Sequence, residues 1–301
     1  MTALSNDDIA QVHVKIKLII LLVKELKMII SKISKQKKNQ HRYNVFTKKN
    51  GEDVYLFSVH EDLLIRFNLR KGLKLTEEEI KNIQEQEAIY KYYTQAINYL
   101  SYRMRSIEEV KRYLKEKEAT EEEITYIIEK LLNEKLLDDL EFSLAYVRTK
   151  INTSINGPAK IRNELIQKGV AESIIEEALH IFTDELQIEK LVKFIEKKSG
   201  QSRRKSYKEE TMLLKRSLLQ KGYSQEIIET AFQQAHFEKE EDQELEALRY
   251  QGEKIWTKYS RKYEGYTLIQ KTKGALYQKG FSMELINTFI DEKRVQLEES
   301  F

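Results

Sequence analysis

The sequence predicts a mainly α-helical protein: tandem three-helix repeats stacked in a row, with a small N-terminal β module. Three observations predict it. One phrase recurs along the chain, the composition favours helices, and an alternating strand-like pattern is confined to a stretch around one Asn-Gly pair.

The phrase is LIQKGVAESIIEEAL at Leu165–Leu179, LLQKGYSQEIIETAF at Leu218–Phe232 and LYQKGFSMELINTFI at Leu276–Ile290. Aligned on Gly169, Gly222 and Gly280, each copy has a leucine four residues earlier and Val170, Tyr223 or Phe281 one residue later. Apolar pairs follow at five-six and nine-ten residues. A weaker copy centres on Glu118, with Leu114, Ala119, Ile124 and Ile127-Ile128 but no glycine. The centres lie 51, 53 and 58 residues apart, a period that signals a repeated supersecondary unit. Lysine followed by glycine ends a helix: the cation meets the negative end of the dipole and glycine takes the left-handed cap. Thr120, Ser224 and Ser282 then cap the next helix. Each period leaves room for one further helix, which makes the unit a triplet.

Composition agrees. Of 301 residues, 34% are charged, 41% are apolar and one is proline. Such a chain favours helices, and its thin core suits stacked helices better than a large globule. With no cysteine, disulfides are impossible and a reducing cytoplasm is the expected home. The net charge of +3 is small, but its distribution is uneven. Seven bases and no acid lie between Ile29 and Asn50, and ten acids against three bases between Glu116 and Glu141. Seven bases against two acids follow between Gln201 and Lys221. Blocks of this size suggest partners approached through long-range electrostatics.

In chain order, residues 1–27 read as an upstream extension, with Met28 the expected start. Their unbroken apolar run, Leu18–Val23, is far short of the about 20 residues that span a membrane. Residues 28–72 read as the β module, with a tight hairpin at Asn50-Gly51 and a further strand in LLIRFNL. Residues 73–135 read as a helical lead-in and repeat 1, opened by a capping box of Thr76 and Glu79. Repeats 2, 3 and 4 occupy 136–183, 184–237 and 238–301.

Catalytic constellations are nearly absent. The five histidines are scattered, and neither H-E-x-x-H nor a phosphate-cradling G-x-x-x-x-G-K-[ST] occurs. Asp138, Asp139 and Glu141 fit a helix cap better than a metal site. The reading is a non-enzyme with no metal and no cofactor. What remains are basic clusters near helix starts: Arg103, Arg105 and Arg112; Lys160 and Arg162; Arg203, Arg204 and Lys205; with Lys271 and Lys273 further on. On one side of the array they would form a stripe for a phosphate backbone or an acidic protein groove. Tyr92, Tyr93, Tyr99 and Tyr102 suit helix packing better than base stacking.

Three stretches carry a family resemblance. AINYLSYRMRSIEEVKRYL, LLNEKLLDDLEFSLAYVRTK and NGPAKIRNELIQKGV resemble the RecX family, regulators of the RecA recombinase, strongly over 95–185 and more loosely beyond. The basic start MIISKISKQKKNQHRYNVF resembles the extension of Firmicute-type long members. Glu118, where glycine is common, and the fourth repeat depart from shorter members. The resemblance implies an elongated, curved array lying in the groove of a RecA–DNA filament. There it would block filament growth, ATP hydrolysis and strand exchange and restrain coprotease activity in DNA repair. It further implies RecA as partner, weak contact with single- and double-stranded DNA, no membrane, and a monomer. The eight basic residues from Arg103 to Lys205 are the contact candidates, and Glu121–Glu123 would face basic surfaces of the recombinase. Two rivals stand beside it: a tandem helix-turn-helix DNA-binding transcription regulator and a generic helical scaffold. Against the first, the helices after each glycine open on Ala171-Glu172-Ser173, Ser224-Gln225-Glu226 and Ser282-Met283-Glu284, whose acids repel phosphate.

Overall fold

The computed structural model describes residues 27–37, 40–199, 204–236 and 241–298, in two compact units that divide after Leu137. The upstream segment, apart from Lys27, lies outside the described residues.

The first unit opens on three antiparallel strands, β1 (Met28–Lys35), β2 (Arg42–Lys49) and β3 (Glu52–His60). The Asn50-Gly51 turn forms as expected, with φ of 54° and 89°. LLIRFNL corrects an expectation: most of it is helix α1 (Glu61–Arg66), not a strand. His60 Nδ1 caps that helix by accepting from the Asp62 amide at 3.3 Å. Leu63, Leu64 and Phe67 recur at helical spacing and pack on the sheet, while Ile65 faces solvent. Asn68, at φ 47°, turns the chain towards β4 (Lys74–Leu75). That strand pairs with β1 and completes the order β3-β2-β1-β4.

Thr76 and Glu79 form the expected capping box at the start of α2 (Glu77–Ser101). This one 25-residue helix serves two cores. Ile80 and Ile83 close the sheet, while Ala96 belongs to the first triplet with α3 (Ile107–Glu116) and α4 (Glu121–Asn133). The expected lead-in and the first helix of repeat 1 are therefore a single element. Glu87, midway along α2, is buried; it accepts from the His60 amide at 2.7 Å and pairs with Arg42 at 2.6 Å, tying the helix to the strands.

The second unit holds three further triplets. They are α5 (Asp139–Thr153), α6 (Pro158–Gln167) and α7 (Glu172–Leu179); α8 (Asp184–Lys198), α9 (Tyr207–Gln220) and α10 (Gln225–Gln234); and α11 (Glu241–Ser260), α12 (Gly265–Gln278) and α13 (Met283–Glu298). Asp138 Oδ1 accepts from the amides of Leu140 and Glu141 at 2.8 and 3.0 Å, the cap expected of it.

The repeated phrase is a helix-ending backbone motif. In every triplet the middle helix stops at a lysine: Lys117, Lys168, Lys221 and Lys279. The next residue is left-handed, and the one after returns an amide to the leucine carbonyl five residues back. Those bonds are Ala119 to Leu114, Val170 to Leu165, Tyr223 to Leu218 and Phe281 to Leu276, at 3.1 to 3.3 Å. This is the Schellman arrangement, and the same residue pairs supply its apolar contact; all eight side chains are buried.

Gly169, Gly222 and Gly280 take the left-handed position at φ of 76°, 89° and 92°, and Glu118 takes it at 67°. The weaker copy therefore keeps the backbone and bears the steric cost of a Cβ there, about 1 kcal/mol. Glu118→Gly is expected to raise stability by up to about 1 kcal/mol, offset by glycine's greater freedom when unfolded. Urea unfolding of the two proteins checks it; a destabilised variant contradicts it.

Inside the second unit, the glycines also seat one triplet on the next. The Gly157 amide, at the start of α6, donates to the Lys221 carbonyl at 2.8 Å, and the Ala159 amide donates to Gly222 at 3.2 Å. A Cβ on Gly157 would lie 2.6 Å from the Gly222 carbonyl atoms, and one on Gly222 would lie 2.5 Å from the Lys160 nitrogen. The third triplet meets the fourth in the same way. The buried Ser206 hydroxyl donates to the Lys279 carbonyl, and Lys208 Cβ lies over Gly280. The start of one middle helix rests on the glycine turn that ends the next one.

Candidate partner-binding surface

Among the described residues, the basic clusters sit at or near the starts of middle helices: Arg103, Arg105, Arg204 and Lys205 just before a start, Lys160 and Arg162 in the first turns of α6, and Arg112 further along α3. Counted back from the caps Ser106, Ser206 and Glu264, Arg103, Arg203 and Arg261 hold one position; Arg204 and Lys262 hold the next. Sequence reasoning missed Arg261 and Lys262, which follow from the repeat register once the cap of α12 is known, and chose Lys271 and Lys273 instead. Lys273 binds Asn287 Oδ1 at 2.6 Å and Lys271 lies 5.9 Å from the Tyr263 ring. Arg203 lies outside the described residues.

Several candidates are committed within the fold. Arg103 makes a two-pronged bond to Glu109 at 3.0 and 3.2 Å, and Glu109 also closes the capping box with Ser106. Glu109 is largely covered, so this node holds the start of α3 in place. Arg105 stacks 3.9 Å over Tyr99, which in turn stacks on Tyr113 at 4.1 Å. Arg162 pairs with Glu172 and with Glu176 at the first turns of α7. It lines a 770 Å³ groove with Pro158, His180 and Tyr223, where the second triplet meets the third. Arg112 holds Glu108 one turn back at 3.1 Å. That pair is well exposed, and such a bond, worth under about 1 kcal/mol, exchanges readily for a partner's carboxylate.

Lys160 and Arg204 are more open. Both are exposed and neither forms an ion pair among the described residues; Arg204 lies 5.1 Å from the Tyr250 ring. Lys205 is half-buried and engaged. Of the acidic stretch, Glu121 binds Lys115 at 2.8 Å and Glu123 closes the Thr120 capping box. Tyr92, Tyr93 and Tyr99 pack on the first triplet's core, whereas Tyr102 is 84% exposed.

A polar node sits beneath the second cluster. Glu164 accepts from Lys150 and from the Tyr146 hydroxyl, each at 2.7 Å, and from Asn156 at 3.2 Å. Burial alone would raise the Glu164 carboxyl, but the bonds from Lys150 and Tyr146 outweigh it and hold the group below the usual carboxylate range. The bond to Glu164 raises Lys150 against its burial. Stability carried by Glu164 is therefore complete above its unfolded pKa, about 4.3, and is lost as pH falls through the lower folded value. The Lys150 share is complete below about 10.4 and is lost as pH rises through its folded value. Glu164→Gln is expected to cost about 1–3 kcal/mol at neutral pH. Urea midpoints of both proteins should converge towards pH 3; a gap that does not narrow argues against this node.

Among the described residues, no three His, Asp or Glu side chains cluster so as to hold a metal. No described helix is long and apolar enough to cross a membrane.

Comparison with known proteins now decides the family. A model of the RecX regulatory protein N-terminal domain matches residues 28–76, and models of the first and second RecX three-helix domains match 93–131 and 138–179. The model of the third three-helix domain matches twice, at 184–232 and 241–290. The chain belongs to the RecX family. Regulatory protein RecX of Halalkalibacterium halodurans is 44% identical over 264 residues, which cover 88% of this chain and 99% of that one. RecX of Oceanobacillus iheyensis is 42% identical, covering 87% and 97%. A crystal structure of regulatory protein RecX, 36% identical, superposes with a TM-score of 0.58 over 68% of this chain and all of the other. In RecX terms, the extra repeat is a second copy of the third three-helix domain.

Proposed function

We propose that this chain is a non-enzymatic regulator of the RecA recombinase. It seats itself along the groove of the RecA–DNA filament, where successive triplets meet successive protomers. It restrains filament growth, ATP hydrolysis, strand exchange and coprotease activity. One observation carries the reading: the triplets share one register, and in the first, third and fourth a basic residue stands two or three positions before the cap of the middle helix (Arg103, Arg204 and Arg261). A filament is itself a periodic array. A periodic ligand adds weak contacts to it at high effective concentration once the first is made. Lys160 and Arg204 are the leading contacts because their charge is open, with Arg112 able to exchange its partner. Arg103 and Arg105 set the shape of the first triplet's surface, and Arg162 does so at the seam of the second and third. Membership of the RecX regulators supports this reading.

The test is the single-strand-dependent ATPase of RecA, titrated with this protein. Hydrolysis is expected to fall to a plateau well below one copy per protomer. An unchanged rate at saturating protein overturns the proposal.

A further inference from the structure

The sheet of the first unit has one covered and one open face. Cross-strand partners share a face. Val45, paired with Ile33 and Phe57, marks the side packed under α1 and α2. On the opposite side, Phe46 pairs with both Lys32 and Tyr55, Lys48 with Asp53, and Asn44 with Ser34 and Ser58. Irregular register between Ile30 and Lys32, and again between Val45 and Phe46, brings the aromatic pair into line. Phe46 and Tyr55 meet edge to face with centroids 6.1 Å apart, and Lys32 Nζ lies 5.8 Å from the Phe46 ring. Tyr55 is 55% exposed, and its hydroxyl is held 2.8 Å from Ser58 Oγ.

Beside this row runs a 980 Å³ groove lined by Lys27, Lys32, Lys48, Lys49 and Lys71. All five are exposed, and none forms an ion pair among the described residues. The one acid in the lining, Asp53, accepts from Ser31 Oγ at 2.7 Å. Arginines 103, 112 and 162, by contrast, all hold carboxylates. Lysines with no ion pair among the described residues, beside an exposed tyrosine, a half-buried phenylalanine, amide groups and hydroxyls, fit a ligand with regularly spaced negative charges and flat apolar faces.

We infer that this open sheet face binds single-stranded DNA, its bases stacked on Tyr55 and Phe46 and its phosphates held by Lys32 and Lys48. The choice of DNA over RNA rests on the RecA reading; the strand-binding chemistry does not.

The test is fluorescence anisotropy of labelled oligo(dT) of about 15 nucleotides with the full chain and no RecA. Tyr55→Ala is expected to weaken binding about tenfold, the lower part of the range for one stacked base. Tyr55→Phe, which keeps the ring, should stay within about twofold. Lys32→Gln with Lys48→Gln should reduce the salt slope by about 1.4, two phosphates' worth on a single strand. Matching thermal melts confirm that these surface variants fold. Binding unaffected by Tyr55→Ala, no binding by the parent protein, or binding of oligo(rU) in place of oligo(dT) overturns the assignment. RecA ATPase inhibition is measured on the same preparations. Inhibition without oligonucleotide binding removes the sheet site alone, and binding without inhibition removes the regulator reading alone.

Discussion

Gly222→Ala is expected to destabilise the second unit by about 2–5 kcal/mol, the largest single effect among the glycine turns. Two costs add. Gly222 sits at φ 89°, where a Cβ costs about 1–2 kcal/mol. That Cβ would also lie 2.5 Å from the Lys160 nitrogen and 3.3 Å from the Ala159 carbonyl carbon. These are backbone atoms, so relief requires moving one triplet off the next, worth a further about 1–3 kcal/mol. Gly51→Ala separates the two costs: its φ is also 89°, but nothing lies within 4 Å of the new carbon. It should lose only about 1–2 kcal/mol. Gly157→Ala supplies the opposite control, because its backbone is ordinary (φ −85°) while its Cβ would press on Gly222 at 2.6 Å. The Gly157 and Gly222 variants relieve or strain one shared contact, so their effects should not add. Urea unfolding followed by circular dichroism reads all three. Equal losses for Gly222→Ala and Gly51→Ala would show that the seam contributes nothing.

Reversing two open cations, Lys160→Glu with Arg204→Glu, is expected to raise the concentration needed for RecA inhibition about 100-fold. Each reversal replaces an attraction by a repulsion against an acidic groove or phosphate, about 1.4 kcal/mol apiece by the tenfold rule. Neither residue carries an ion pair among the described residues, although Lys160→Glu sets a like charge one turn from Glu164, so the melting temperature should fall only slightly. Arg103→Ala should behave in the opposite way. Loss of its bond to Glu109 frees a largely covered carboxylate and the start of α3, lowering stability by about 1–3 kcal/mol. Inhibition by the double reversal at the parental concentration would place the filament contact elsewhere.

Local chemistry was legible in the sequence wherever it closes within a few residues. The left-handed glycine turns, the Thr76 capping box, the caps at Thr120, Ser224 and Ser282, the Asn50-Gly51 hairpin and the Asp138 cap all join neighbours in the chain. LLIRFNL misled because a short apolar run fits a strand or a helix equally. The His60 cap and the covering position over the sheet decided for helix. The basic residues were legible as a pattern but not as open charge. Whether an arginine is available depends on a carboxylate placed by folding, as Glu172 is for Arg162.

By itself, the sequence determined the triplet, its period and its family. Those depend on a phrase of about fifteen residues whose hydrogen bonds are local, so repetition in the chain becomes repetition in the backbone. Only the tertiary structure decided that Gly157 abuts Gly222, that α2 serves two cores, and that the five groove lysines form no ion pair among the described residues while arginines 103, 112 and 162 do. The physical reason is contact range. A steric gap the size of one missing Cβ, or an ion pair at about 3 Å, is set by where distant segments come to rest.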